Sequence, residues 1–262
     1  MFAAGCAPKL TVHSNQAAGQ FPPTQLYESF AILESDTLQI PGQILISNLE
    51  FKDKGFTIDC DYETIKRLVA DQARQLGGNC MIITEHRFPD IVSSCHRIKC
   101  KVLRIPEPEQ YEKTISWDTR RPLKISNFKG STEKRPFQAE TYSTLRYFAK
   151  PNPLSGKSVV VVESAFDCDL SYFIPSDRDS AVLGHEQLHF DITELYARKF
   201  RKMIVTETPR YKMFLADHER LFAAILKEWQ LKQDEYDSEV YADRSKQAKW
   251  NTWVQEELLK YK

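Results

Sequence analysis

The chain lacks several features that would have narrowed its reading at once. No run of apolar residues approaches the roughly 18–20 needed to span a bilayer, so nothing in the sequence reads as a membrane-spanning helix. There is no excess charge: 36 Lys and Arg balance 36 Asp and Glu, which gives no electrostatic ground for nucleic acid or an anionic membrane surface as a partner. None of the six cysteines forms a Cys-x-x-Cys pair, which makes a zinc ribbon a poor fit. No repeat or low-complexity tract is present either, which argues against solenoid and fibrous folds. What is present is ordinary globular material: 262 residues, 42% hydrophobic and 27% charged. That is enough for two domains with cores of their own.

The N-terminus carries Ala3-Ala4-Gly5-Cys6, which resembles the end of a bacterial lipoprotein signal, whose cysteine is acylated after cleavage. The resemblance implies a lipid on Cys6 as the membrane contact and an exported protein in the bacterial cell envelope. The polar, Pro-punctuated residues up to 26 read as a tether. Cysteine usage agrees with that address. Cys60, Cys80, Cys95 and Cys100 fall close together, with Cys168 apart, and an oxidising compartment favours a pair of disulfides among the four. Three pairings remain open.

Residues 27–105 read as a small α+β domain of sandwich-like character. "GQILISNLEF" and "GFTIDCD" are strand-like, with a turn at "KDKG". "YETIKRLVADQARQLG" places Ile65, Leu68, Val69 and Ala73 at helical spacing and ends at Gly77-Gly78. "NCMIIT" and "CHRIKCKVLRI" are two further strands. The helix end, the loop and the Cys-rich strand resemble a family of small bacterial envelope domains that includes the stress-sensing lipoprotein of the Rcs phosphorelay. The resemblance implies a non-catalytic, disulfide-stapled module. His86 and His96 show no ligand spacing and read as polar loop or strand-face residues. "PEPEQYEKT" suggests a linker over 106–115.

Residues 116–262 begin with strand-like pieces, "TISWDTRRPLKISNFKG", "ETYSTLRYFAK" and "KSVVVVESAFDCDLSYF", and continue as helices around "AVLGHEQLHFDITELYARKFRKMIV", 210–233 and 243–262. Strands followed by helices indicate an α+β domain. The stripe Leu221, Phe222, Ile225 and Trp229 has helical spacing and reads as core, and Cys168 as a buried strand residue.

"HEQLH" carries the chemistry. His185 and His189 differ by roughly 40° around a helix, so both imidazoles leave one face a turn apart. That suits two nitrogens on one tetrahedral Zn²⁺. Glu186 is turned about 100° from His185, placed to take a proton from an attacking water without occupying a ligand position. The strand before the helix reads as the cleft edge that pairs with an extended peptide or protein substrate. Asp191 is rotated away and suits a supporting part. Glu194 and Arg198 are spaced as an ion pair.

"HEQLHFDITELYARKFRK", with "LKISNFKG" and "LSYF" before it and "YDSEVYADRSKQAKW" after it, resembles a bacterial family of predicted secreted zinc-dependent proteases. The resemblance implies a zincin-like fold, zinc, peptide-bond hydrolysis, His185 and His189 as ligands and Glu186 as general base. It also exposes a departure. The family's closing motif ends in Thr-x-His-Gly, whereas this chain has Val240, Ala242 and Asp243, so the third ligand is open. Asp243, beside the lost histidine, is the leading candidate, with Glu239, His218 and Glu219 as alternatives. Tyr236 and Tyr241 are candidates to bond a transition-state oxyanion, or else simply pack. The rival reading is a catalytically inactive relative that serves as a binding or stress-sensing module.

Overall fold

The computed structural model of the chain describes residues 9–14, 20–34, 39–52, 62–89, 95–152, 157–208 and 210–261. Cys6, Cys60, the expected strand "GFTIDCD" and the turn before it lie outside the described residues. The architecture is α+β, with strands mostly N-terminal and helices C-terminal. The chain divides into two compact units, Met1–Lys113 and Thr114–Lys262.

The first unit contains β1 (Lys9–Ser14), β2 (Ala31–Leu33), β3 (Ile44–Lys52), α1 (Tyr62–Gln75), β4 (Cys80–Arg87) and β5 (Arg97–Arg104). They form one sheet in the order β1-β3-β5-β4-β2, antiparallel except where β2 runs parallel to β4. β1 corrects the tether expectation, because residues 9–14 pair along β3 from Lys9↔Lys52 to Ser14↔Ser47. α1 buries Ile65, Val69 and Ala73 on one sheet face, against Ile46, Leu49, Met81, Ile98 and Val102. The linker expectation also changes. Pro108–Gln110 forms a 3-10 turn, Glu112 is buried and accepts the Phe30 N–H, and Tyr111 packs on the second sheet face.

The period-2 rule of a strand explains the cysteines. Cys80 faces Ala31, Ile40, Ile82 and Leu103, while Cys100 faces the α1 side with Met81 and Ile83. Pointing to opposite faces, they cannot bridge. Cys80, Cys100 and Cys168 are buried free thiols, which corrects the expected two disulfides among the four clustered cysteines. Cys95 is bonded in a disulfide, but no disulfide joins two of the described cysteines. His86 Nε2 and His96 Nδ1 bond to each other at 2.8 Å, with Tyr62 stacked on His86.

The second unit contains β6 (Thr114–Ser116), β7 (Ala139–Glu140), β8 (Ser143–Asn152), β9 (Lys157–Asp167), β10 (Tyr172–Phe173), α2 (Asp179–Glu207), α3 (Tyr211–Ala242) and α4 (Lys246–Lys260). The sheet order is β6-β9-β8, with β7 and β10 as a separate two-stranded ribbon. β9 is therefore the central strand and not the free edge expected of it. "LKISNFKG" is not a strand: Pro122 precedes it, and Asn127 Oδ1 accepts the Lys124 N–H at 2.7 Å, closing a 3-10 turn over Ile125–Asn127.

α2 is buried along most of its length. Leu188, Ile192, Leu195 and Phe200 join Leu145 and Val162 of the sheet and Leu221, Ile225 and Tyr236 of α3 in one core, and Phe222 and Trp229 pack against it. A buried Leu or Phe of this kind is worth roughly 2–5 kcal/mol on truncation to Ala. Behind the helix, the buried Glu194 accepts from Arg198 Nε at 2.8 Å and Ser164 Oγ at 2.6 Å. This anchored helix is the platform for the site.

Candidate metal centre

α3 runs past 233, where the sequence reading ended its second helix, and continues to Ala242. Its last turns pack against α2. They present Gln233, Asp237 and Tyr241, each four residues after the one before and hence on one face. The three atoms that meet between the helices are His185 Nε2, His189 Nε2 and one oxygen of Asp237. Asp237 Oδ1 lies 3.1 Å from His185 Nε2 and 3.0 Å from His189 Nε2, and the two nitrogens are 3.1 Å apart. Among the described residues, this is the group of three His, Cys, Asp or Glu side chains whose donor atoms converge.

The outer nitrogens are held as well. His189 Nδ1 donates to Gln233 Oε1 at 2.6 Å, and Gln233 Nε2 donates in turn to the His189 carbonyl at 3.0 Å. His185 Nδ1 faces Gln247 Oε1 at 3.4 Å, and Tyr236 OH donates to that same oxygen at 2.7 Å. With Nδ1–H given to glutamine, a neutral imidazole turns its Nε2 lone pair inward. In that neutral form two lone pairs and a carboxylate oxygen face one another near 3 Å, an arrangement that a bound cation, proton or metal ion, relieves. Four-coordinate zinc at about 2.0–2.1 Å from N and O ligands separates those ligands by about 3.3–3.4 Å. The triangle needs to open by only a few tenths of an ångström, and the donor set fits.

The electrostatics carry the same signature. Burial alone would raise the Asp237 carboxyl, but its bonds to His185 and His189 and their charge hold it well below the usual carboxylate range. Burial opposes charge on His189, yet the Asp237 carboxylate bonded to it and Glu186 beside it raise its pKa. Burial pushes the Glu186 carboxyl up, against the pull of His189, Thr141 and His185. Glu186 Oε2 is buried with no hydrogen-bond partner among the described residues, and such a group calls for an explanation. Of the three convergent side chains, Asp237 is the most exposed, at 38% against 11% and 14% for the histidines. Its side is the open approach.

The other sequence candidates sit elsewhere. Asp243 is exposed just past the end of α3, and its Oδ1 accepts the Ser245 N–H and hydroxyl at 3.0 and 2.7 Å. It caps the turn into α4 rather than joining the histidines, so Asp237 and not Asp243 completes the group. Glu239 accepts from Trp250 Nε1 at 3.1 Å. His218 is bonded to Tyr147 OH at 2.7 Å and stacked on Phe214, and Glu219 is exposed. Asp191 accepts from Trp117 Nε1 and Gln187 Nε2 at 2.7 and 2.8 Å and supports α2 from behind. Tyr236 packs, its ring stacked 4.7 Å from that of His185. Asp237 was within reach of the sequence, because "QDEYDSEVY" repeats polar positions four apart on a helix that could have been extended to 242.

Residues 134–243 match a family model described as bacterial protein of unknown function (DUF922). The match spans less than half of the chain and contains His185, Glu186, His189 and Asp237, so over this segment the chain is similar to a bacterial family. It matches no curated protein and no solved structure.

Proposed function

We propose that the second unit is a zinc-dependent peptidase domain in which His185, His189 and Asp237 hold the metal and Glu186 is the general base. The observation that carries this reading is the convergence of two Nε2 atoms and a carboxylate oxygen within 3.1 Å, next to a buried, unpartnered glutamate oxygen. The resemblance of "HEQLHFDITELYAR" to secreted zinc-dependent proteases supports the reaction class. A zinc ion in this site supplies Lewis acidity to a water and to a peptide carbonyl.

The protein's own groups do the rest. Gln233 and Gln247 fix the imidazole tautomers. Glu186 accepts the proton of the attacking water as the C–O bond forms and returns it to the leaving amine as the peptide C–N bond breaks. Asp237 makes the donor set anionic, which favours binding of a divalent cation. The inactive-module reading drew its support from the missing histidine at Ala242. Asp237 beside the two imidazoles removes that support. We further propose that Cys6 carries a lipid that holds the protein at the bacterial envelope, on the strength of the Ala3-Ala4-Gly5-Cys6 string.

The test is metal content and cleavage together. About one zinc per chain is expected in the wild type and in Asp243→Ala. Asp237→Ala should lose it. Glu186→Gln should keep zinc while hydrolysis of a casein digest falls by about 10²–10⁴. A wild-type chain that takes up no zinc sinks the proposal.

A further inference from the structure

Tyr241 lies one helical turn beyond Asp237 and points the same way. Its ring is 5.4 Å from that of His185. It is 58% exposed, and the nearly parallel ring of Phe137, 6.3 Å away with planes 17° apart, is 55% exposed. Aromatic pairs associate at about 4.5–7 Å, so the two rings form one continuous apolar patch beside the open Asp237 side of the metal centre. Exposed aromatic rings beside such a centre are free to pack against a bound apolar group.

Peptide geometry says what that group is. Residues of an extended peptide advance about 3.3–3.6 Å each. A carbonyl held at the triangle of His185, His189 and Asp237 therefore places the next side chain roughly 5–7 Å away, on the scale of the 5.4 Å between the Tyr241 and His185 rings. The paired rings attract an apolar or aromatic side chain.

We infer that Phe137 and Tyr241 form the subsite for a large apolar side chain adjoining the bond to be cleaved. This rests on the peptidase reading above and names its substrate class: peptides with phenylalanine-like residues beside the scissile bond. The experiment is equilibrium titration of the full chain with two blocked tripeptides whose central residue is phenylalanine or alanine. It is run on metal-stripped wild type and on zinc-loaded Glu186→Gln, in which turnover is blocked.

Phenylalanine is expected to bind about tenfold tighter than alanine, as two modest ring contacts predict. The order should flatten in Phe137→Ala/Tyr241→Ala and survive in Tyr241→Trp. A flat series in the wild type, or discrimination that persists in the double alanine variant, overturns the subsite. If zinc binds and the series is flat, the subsite is wrong and the peptidase reading stands. If zinc does not bind but the stripped chain keeps its preference, the subsite stands and the peptidase reading falls.

Discussion

Gln233→Leu tests whether the residues behind the histidines tune the site. The substitution removes both polar atoms and shortens the side chain by one bond. In the native arrangement Gln233 Oε1 accepts from His189 Nδ1 at 2.6 Å, and Gln233 Nε2 donates to the His189 carbonyl at 3.0 Å and to Thr193 Oγ1 at 3.2 Å. With leucine the Nδ1–H has no partner, the tautomer is no longer fixed, and the Nε2 lone pair is free to turn from the metal. Loss of such an orienting bond costs about 10–100-fold in metal affinity, or about 1.4–2.7 kcal/mol. Thr193 retains Trp229 Nε1 at 3.0 Å and Ser143 Oγ at 2.7 Å, so the fold itself should survive. Zinc affinity is measured by competition with a chromophoric chelator, with Gln233→Glu alongside, since that variant keeps an acceptor at the same place. Wild-type affinity in Gln233→Leu, or an equal loss in Gln233→Glu, would refute the reasoning. Gln247→Leu should cost less than Gln233→Leu, because its bond to His185 is long at 3.4 Å.

The first unit yields two further expectations. Burial pushes the Cys80 and Cys100 thiols up to about 12 from an ordinary value of 9.0. An acid whose folded pKa is raised leaves stability intact below the unfolded value and removes it as pH climbs towards the folded one. Urea midpoints should therefore hold to about pH 9 and fall above it, with a shallower slope in Cys80→Ala. At pH 8, iodoacetamide should leave both thiols unmodified until urea is added, and modification of the folded chain would contradict their burial. Gly77 has φ +85°, and an added Cβ would lie 2.6 Å from the Phe21 carbonyl oxygen. Gly77→Ala should cost at least the roughly 1–2 kcal/mol of a left-handed non-glycine residue, read from chemical unfolding. An unchanged midpoint would count against that contact.

Sequence periodicity was sufficient wherever the decisive contacts are local. Ile65, Val69 and Ala73 at helical spacing are the buried face of α1, although Leu68, read with them, is 39% exposed. The spacing of His185 and His189 does put their Nε2 atoms 3.1 Å apart, because four residues on a helix leave little choice. The ion pair of Glu194 with Arg198 follows from the same geometry.

What the sequence could not supply were relations between distant segments. Alternation along β4 and β5 was visible, but only the sheet shows that Cys80 and Cys100 face opposite sides and stay free. The apolar run of β9 suggested a substrate-pairing edge, and pairing with β6 and β8 on either side makes it central. Asp243 looked like the third ligand because it adjoins the position of a missing histidine. The return of α3 along α2 selected Asp237, and Asp243 was left to cap the next turn. By itself, then, the sequence determined the helical platform and the two imidazoles on it, since a helix sets their spacing by its own geometry. The third side chain, the tautomer-fixing glutamines and the open side of the site were decided only by packing of α3 and α4 onto α2, because contacts between helices depend on which apolar faces meet and leave no period in the sequence to read.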